Sequence, residues 1–158
     1  MGLIRTLDRW GAVARKPPVW AAATAGLCAC GACGRRAARR GTACYLTGAV
    51  VGNGLKLLFK RPQPRHRIAR RPYVSRSAFP SGHGAAEVAF AFAVGGESPA
   101  LFPPIAALAM LAHWSLVREG KHYVSDMLVG GTIGLLIAVA GAKLRAPGPD
   151  AGKTEPDE

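Results

Sequence analysis

Acid is what this 158-residue sequence has least of: nine Asp and Glu stand against 21 Lys and Arg, a formal charge of +12. With carboxylates so scarce among so many cations, a metal centre built on oxygen ligands is disfavoured from the outset. Cysteine is nearly as restricted. Cys28, Cys30, Cys33 and Cys44 fall in or near "CACGAC", no His, Asp or Glu lies beside that cluster, and the spacing departs from paired C-x2-C motifs. They read as small hydrophobes in an Ala/Gly-rich run. The polar stripe of a surface helix is missing from most apolar runs, and there is no internal repeat.

What is present is a set of long runs rich in Ala, Gly, Val and Leu, separated by short arginine-rich connectors. Glycine and proline, 20 and 12 residues, are abundant in the manner of membrane helices. A soluble domain with this charge would suggest nucleic acid. A membrane protein uses the same charge to set topology and attract anionic headgroups. The apolar runs decide for the membrane and against nucleic acid. A secretory signal within residues 1–34 fits the basic start, but Pro17-Pro18 and the amphipathic stretch before them do not fit.

Residues 1–16 place Leu3, Ile4, Leu7, Trp10 and Val13 at helical spacing among basic residues, an interfacial helix or a plain solvated amphipathic start. A short spanning candidate at 19–34 ends at "RRAARR", and residues 41–59 are long enough to span. A loop over 60–80 carries Lys60 and Arg61, 65, 67, 70, 71 and 76 with no acid. Further helices are expected from Ser81 to about Gly96, over roughly 100–118, and over 122–144. A disordered polar tail is expected from 145 to 158. The expectation is an all-α integral membrane bundle of about five transmembrane helices over 17–144, behind an N-terminal amphipathic helix.

Ionisable residues beside such spans are expensive and by default suggest function. Lys56 ends the second helix, His83 starts the third, and Arg118, Lys121, His122 and Asp126 surround the fourth-to-fifth junction. Alternating crossings bring all of them to one membrane face. His122 and Asp126, four apart, are expected to stack on one helix face, so that the carboxylate orients the imidazole and leaves its other nitrogen nucleophilic. His83 is a candidate general acid. The start of the third helix offers backbone N–H groups at Ser81, Gly82 and His83 as an anion site. Lys56 and the arginines add positive charge. Two histidines in a cationic pocket at a membrane surface suggest phosphoryl transfer from a lipid phosphate, without a required metal. Taken singly, His83 can be a capping residue, His122 with Asp126 a structural pair, and Lys56 a snorkelling side chain. His66 and His113 have no obvious partner and read as structural.

The sequence resembles the type 2 phosphatidic acid phosphatase superfamily, which shares its core with vanadium haloperoxidases. The signature K-x6-R-P, P-S-G-H, S-R-x5-H-x3-D is met at Lys56 and Pro64, in full at Pro80 to His83, and at Ser115, His122 and Asp126 within "GKHYVSD". The resemblance implies a cofactor-free lipid phosphatase. In it His122 attacks phosphorus to form a phosphohistidine, Asp126 orients it, His83 protonates the leaving alkoxide, and Lys56, Ser81 and Gly82 hold the phosphate. Two positions depart: Gln63 and Leu116 stand where the family has phosphate-binding arginines. Arg61, Arg65 and Arg118 are nearby substitutes, although Arg118 lies two residues off register, a rotation of about 200° on an ideal helix.

The implied substrates are polyprenyl-linked phosphates or phosphatidic acid-like lipids in the cell membrane. A silent protein binding anionic lipid is the alternative, and haloperoxidase chemistry, which would need the missing arginines, ranks last. Lys/Arg counts place the basic loop in the cytoplasm, whereas many family members face outward. The face of the site stays open, as does the oligomeric state.

Overall fold

The computed structural model describes residues 2–64 and 77–144. Among them are six α-helices and no strand: α1 (Gly2–Ala14), α2 (Pro17–Ala29), α3 (Gly31–Leu55), α4 (Gly82–Gly95), α5 (Phe102–Arg118, after a single 3-10 turn at Pro99–Leu101) and α6 (Val124–Lys143). The tail and most of the basic loop, with Arg65, His66, Arg67, Arg70, Arg71 and Arg76, lie outside the described residues.

The all-helical expectation holds, but the span count does not carry over. Two helical stretches, Pro99–Arg118 and Val124–Lys143, are long and apolar enough to cross a membrane. The arginine connector is also a correction: "RRAARR" lies inside α3 instead of separating two helices. Its charge is met from elsewhere in the chain. Glu97, just beyond α4, approaches Arg40 to 2.6 Å and Arg36 to 3.7 Å. The break falls earlier, at Gly31, whose φ of +72° suits glycine and turns α2 back against α3.

The centre of the bundle is α4, with ten of its fourteen residues buried. Its sequence, "GHGAAEVAFAFAVG", has no polar face because α3, α5 and α6 pack around most of it. Close approach is made possible by glycine rows on two neighbours. A Cβ on Gly48 of α3 would come 2.6 Å from the Ala85 carbonyl oxygen, and one on Gly52 2.9 Å from Gly82 Cα. On α6, Gly130 and Gly134 meet the Ser81 and Ala85 carbonyls in the same way. This small-xxx-small spacing lets backbones touch, as in membrane helix pairs. Farther along α4, Phe90 packs edge-on against Trp20 and Tyr45, closing an aromatic core with α2 and α3.

Helix α1 lies along α5, with Gly11 and Ala14 buried against it, and leaves Leu3, Ile4 and Trp10 exposed. The apolar residues picked out in the sequence stay exposed, and the face docked on protein is the small-residue one.

Candidate active site

The site forms where the N-terminus of α4 meets the start of α6. Ser81 caps α4, its Oγ accepting from Gly84 N–H at 3.1 Å. Its own N–H is not free for an anion, which corrects the expectation: it donates to the Asp126 carbonyl at 3.1 Å and ties α4 to α6. The Gly82 and His83 N–H groups, in the first helical turn, keep the orphan-donor role of a helix start.

His122 is delivered by the way α5 ends. Gly120 takes φ +64°, Lys121 N–H returns to the Leu116 carbonyl at 3.0 Å and Gly120 N–H to that of Val117 at 2.9 Å. This is a Schellman turn, and its glycine is required by the left-handed position. The chain reverses within three residues, and His122 follows immediately, before α6 begins at Val124. His122 and Asp126 therefore do not stack on a shared helix face. The imidazole Nδ1 lies 2.7 Å from the Ala78 carbonyl and 3.8 Å from Asp126 Oδ2, too far for a hydrogen bond. A carbonyl oxygen only accepts, so the neutral ring carries its proton on Nδ1 and keeps its lone pair on Nε2.

Asp126 is occupied otherwise. Fully buried, it accepts from Tyr123 N–H at 2.8 Å, capping α6, and pairs with Arg61 Nη1 at 2.7 Å. Arg61 also donates to Ser125 Oγ at 2.9 Å and lies over the Tyr123 ring, 4.1 Å from its centroid. Its backbone holds the other side of the site: the Arg61 carbonyl accepts from Ala78 N–H at 2.8 Å, and Ser77 Oγ accepts from Arg61 N–H at 3.1 Å. Arg61 thus fixes both Asp126 and the segment that presents the Ala78 carbonyl to His122.

The remaining candidates divide. Lys56, at the end of α3, reaches Asn53 Oδ1 at 3.2 Å and lies close enough for its charge to act on His83 and His122. Arg118 is at the last position of a regular α5 and turns away, 3.5 Å from Asp8 and over the Trp114 ring. Leu116 is buried in the core, and Gln63 Oε1 is buried without a hydrogen bond among the described residues.

Burial holds His122 down at a pKa of about 4, from an ordinary 6.5. The Lys56 charge pushes the same way, and the Ala78 hydrogen bond opposes both. At neutral pH the ring is an uncharged base with a single lone pair, the form a nucleophile needs. Cys28, Cys30 and Cys33 are exposed and Cys44 is buried. Among the described residues no three His, Cys, Asp or Glu side chains gather.

Residues 41–147, about two thirds of the chain, match the model of the PAP2 superfamily. The chain belongs to the PAP2 superfamily. Members are phosphatases acting on phosphate esters. No curated protein and no solved structure matches the chain. The PAP2 match contains every site residue considered so far, from Lys56 to Asp126.

Three contributors were not read from the sequence. The Ala78 carbonyl carries no side-chain signal at all. Arg15 and Glu119 pair at 2.7 Å across 104 residues, and the charge of Arg15 reaches His83. The helical spacing of residues 1–16 placed Arg15 at the end of an amphipathic helix, but nothing in the pattern names its partner.

Proposed function

We propose that this PAP2 protein is a metal-independent membrane lipid phosphatase, hydrolysing a phosphomonoester or pyrophosphate on a polyprenyl or phosphatidic acid-like lipid. The observation that carries the reading is the His122 tautomer: with Nδ1 on the Ala78 carbonyl, Nε2 is the nucleophilic nitrogen, beside a helix N-terminus. In the first step Nε2 attacks phosphorus, the bond to the lipid oxygen breaks, and His83, protonated once the bound phosphate offsets the neighbouring cations, gives that oxygen a proton. In the second, water attacks the phosphohistidine, losing its proton to His83, and the phosphorus–nitrogen bond breaks to release phosphate. Lys56 and the Gly82 and His83 N–H groups stabilise the charge gathering on the phosphoryl oxygens.

A lipid substrate is supported by what borders Lys56. Leu57, Leu58 and Phe59 follow it directly, and the two leucines are more than 70% exposed. Such a patch beside a cationic site suits a headgroup-level position in a bilayer. The test is phosphate release from a panel of lipid phosphates in detergent micelles, with trapping of the phosphohistidine. His122→Ala is expected to abolish both signals; equal release by variant and parent would sink the enzyme reading. It would leave the second reading, a silent binder of anionic lipid, which the neutral Gln63 and buried Leu116 favour.

A further inference from the structure

A phosphate held between His83 and His122 would carry up to two negative charges, and two of the described arginines close to the site in sequence are engaged elsewhere. Arg61 pairs with Asp126, Arg118 with Asp8 and the Trp114 ring. A third arginine comes from outside the PAP2-matched region. Arg15 directly follows α1, and the way α1 docks on α5 determines where it goes. Gly11 sits so close to α5 that a Cβ there would lie 2.5 Å from the Leu111 carbonyl oxygen and 2.7 Å from Ser115 Cβ. One helical turn on, Arg15 Nη1 meets Glu119 Oε2 at 2.7 Å, one turn beyond Ser115. Arg15 therefore arrives at the Schellman turn that delivers His122. The same Glu119 oxygen holds Lys121 Nζ at 2.5 Å. Arg15, Lys121 and Lys56 all lie within electrostatic range of the His83 imidazole.

We propose that Arg15 is a phosphate-binding arginine of this site, supplied by the N-terminal helix and shared, in the absence of ligand, with Glu119. The proposal rests on the phosphatase reading for the identity of its ligand. A guanidinium offers five donors in a rigid fork, and Glu119 engages one nitrogen of Arg15, so the others remain for phosphoryl oxygens. The side chain is 19% exposed, sheltered enough to strengthen a charge-assisted hydrogen bond and open enough to reach a ligand. The buried leucine at 116 fits the same arrangement. It brings no charge to the site from α5, and the cation then comes from α1.

The competing role for Arg15 is a clasp that only fastens α1 to α5, and the two roles predict different signs for Glu119. Inorganic phosphate is titrated into the full-length protein in detergent micelles and followed by calorimetry and phosphorus NMR. Arg15→Ala is expected to weaken phosphate binding ~10-fold or more. Arg15→Lys, which keeps the charge and loses the fork, is expected to weaken it about 3-fold. Glu119→Gln, which frees Arg15 and Lys121 from a competing carboxylate, is expected to leave binding unchanged or tighten it. Arg9→Ala, on the exposed face of α1, serves as the charge control and should change nothing.

Phosphate binding that is absent in the parent, or equal in parent and Arg15→Ala, overturns the proposal. So does Glu119→Gln weakening binding as much as Arg15→Ala, the mark of a clasp. If Arg15→Ala does not fold, the opposite responses of Arg15→Lys and Glu119→Gln still decide. Binding needs no turnover. A parent that binds phosphate through Arg15 but releases none from lipid phosphates would end the phosphatase reading alone.

Discussion

Among the described residues two carboxylates are completely buried, each beside a histidine, and they are held in opposite ways. Asp126 lies at the start of α6, where it takes a guanidinium and a backbone N–H while its histidine stays 3.8 Å away. Glu87 lies in the middle of α4, 3.0 Å from His113 Nε2, at an angle that makes no hydrogen bond for either oxygen. Trp20 Nε1 also approaches Glu87, likewise without full hydrogen-bond geometry. The difference is positional. At a helix terminus, unpaired backbone donors and a loop arginine can converge on a carboxylate. In a helix interior the backbone is already paired, and only another side chain can answer. A buried acid is therefore strongly anchored at Asp126 and weakly answered at Glu87.

The largest break in this comparison is Asp126→Ala. It strands Arg61, uncaps α6 and loosens the segment bearing Ala78. Because Arg61 is 40% exposed, the loss should sit at the lower end of the range for broken buried pairs, about 3 kcal/mol in denaturant unfolding. Phosphate release should fall at least as far as folding does. A parent-like midpoint would mean that the Arg61 pair holds nothing.

The gentler pair is Asp126→Asn against Glu87→Gln, both keeping shape and replacing the carboxyl group by an amide. The first loses a charge-assisted pair and is expected to cost ~1.5–2 kcal/mol. The second loses no hydrogen bond and is expected to lie within about 1 kcal/mol of the parent, on either side. Equal losses would dissolve the contrast.

Acid titration sharpens the same comparison at His122. Its folded pKa of about 4 is below the unfolded 6.5, so the unfolded chain binds the extra proton first as pH falls. The stabilisation is fully present above pH 6.5 and is lost as pH falls through about 4. His122→Gln should flatten the unfolding midpoint across that window; an unchanged slope would show that other groups set it. Smallest of all is Arg118→Ala, which removes a half-exposed ion pair with Asp8 and should cost under about 0.5 kcal/mol.

Much of this architecture was legible because it is written locally. Pro80-Ser81-Gly82-His83 reads as a helix start since the cap, glycine and donors occupy consecutive positions. The convergence of Lys56, His83 and His122 followed from alternating helices. What could not be read depends on partners far away in sequence. The "RRAARR" stretch stays helical where Glu97 answers Arg36 and Arg40, 57 residues away in the case of Arg40. The start of α6 falls two residues after His122, and that small boundary shift changes Asp126 from the expected imidazole partner into a cap. His113 gained a partner in Glu87, which an all-apolar helix pattern gave no reason to single out.

The glycine rows that grip α4 have a consequence for how this protein would respond to a mutational scan. Positions 48, 52, 130 and 134 carry no functional group, yet any side chain there would push α4 away from α3 or α6. At Gly130 the displaced atom is the Ser81 carbonyl, at the foot of the proposed phosphate site. Activity in such a scan would fall at these silent positions as sharply as at the histidines. The tolerance map of the chain would mark out the outline of the proposed catalytic centre in residues that never touch substrate.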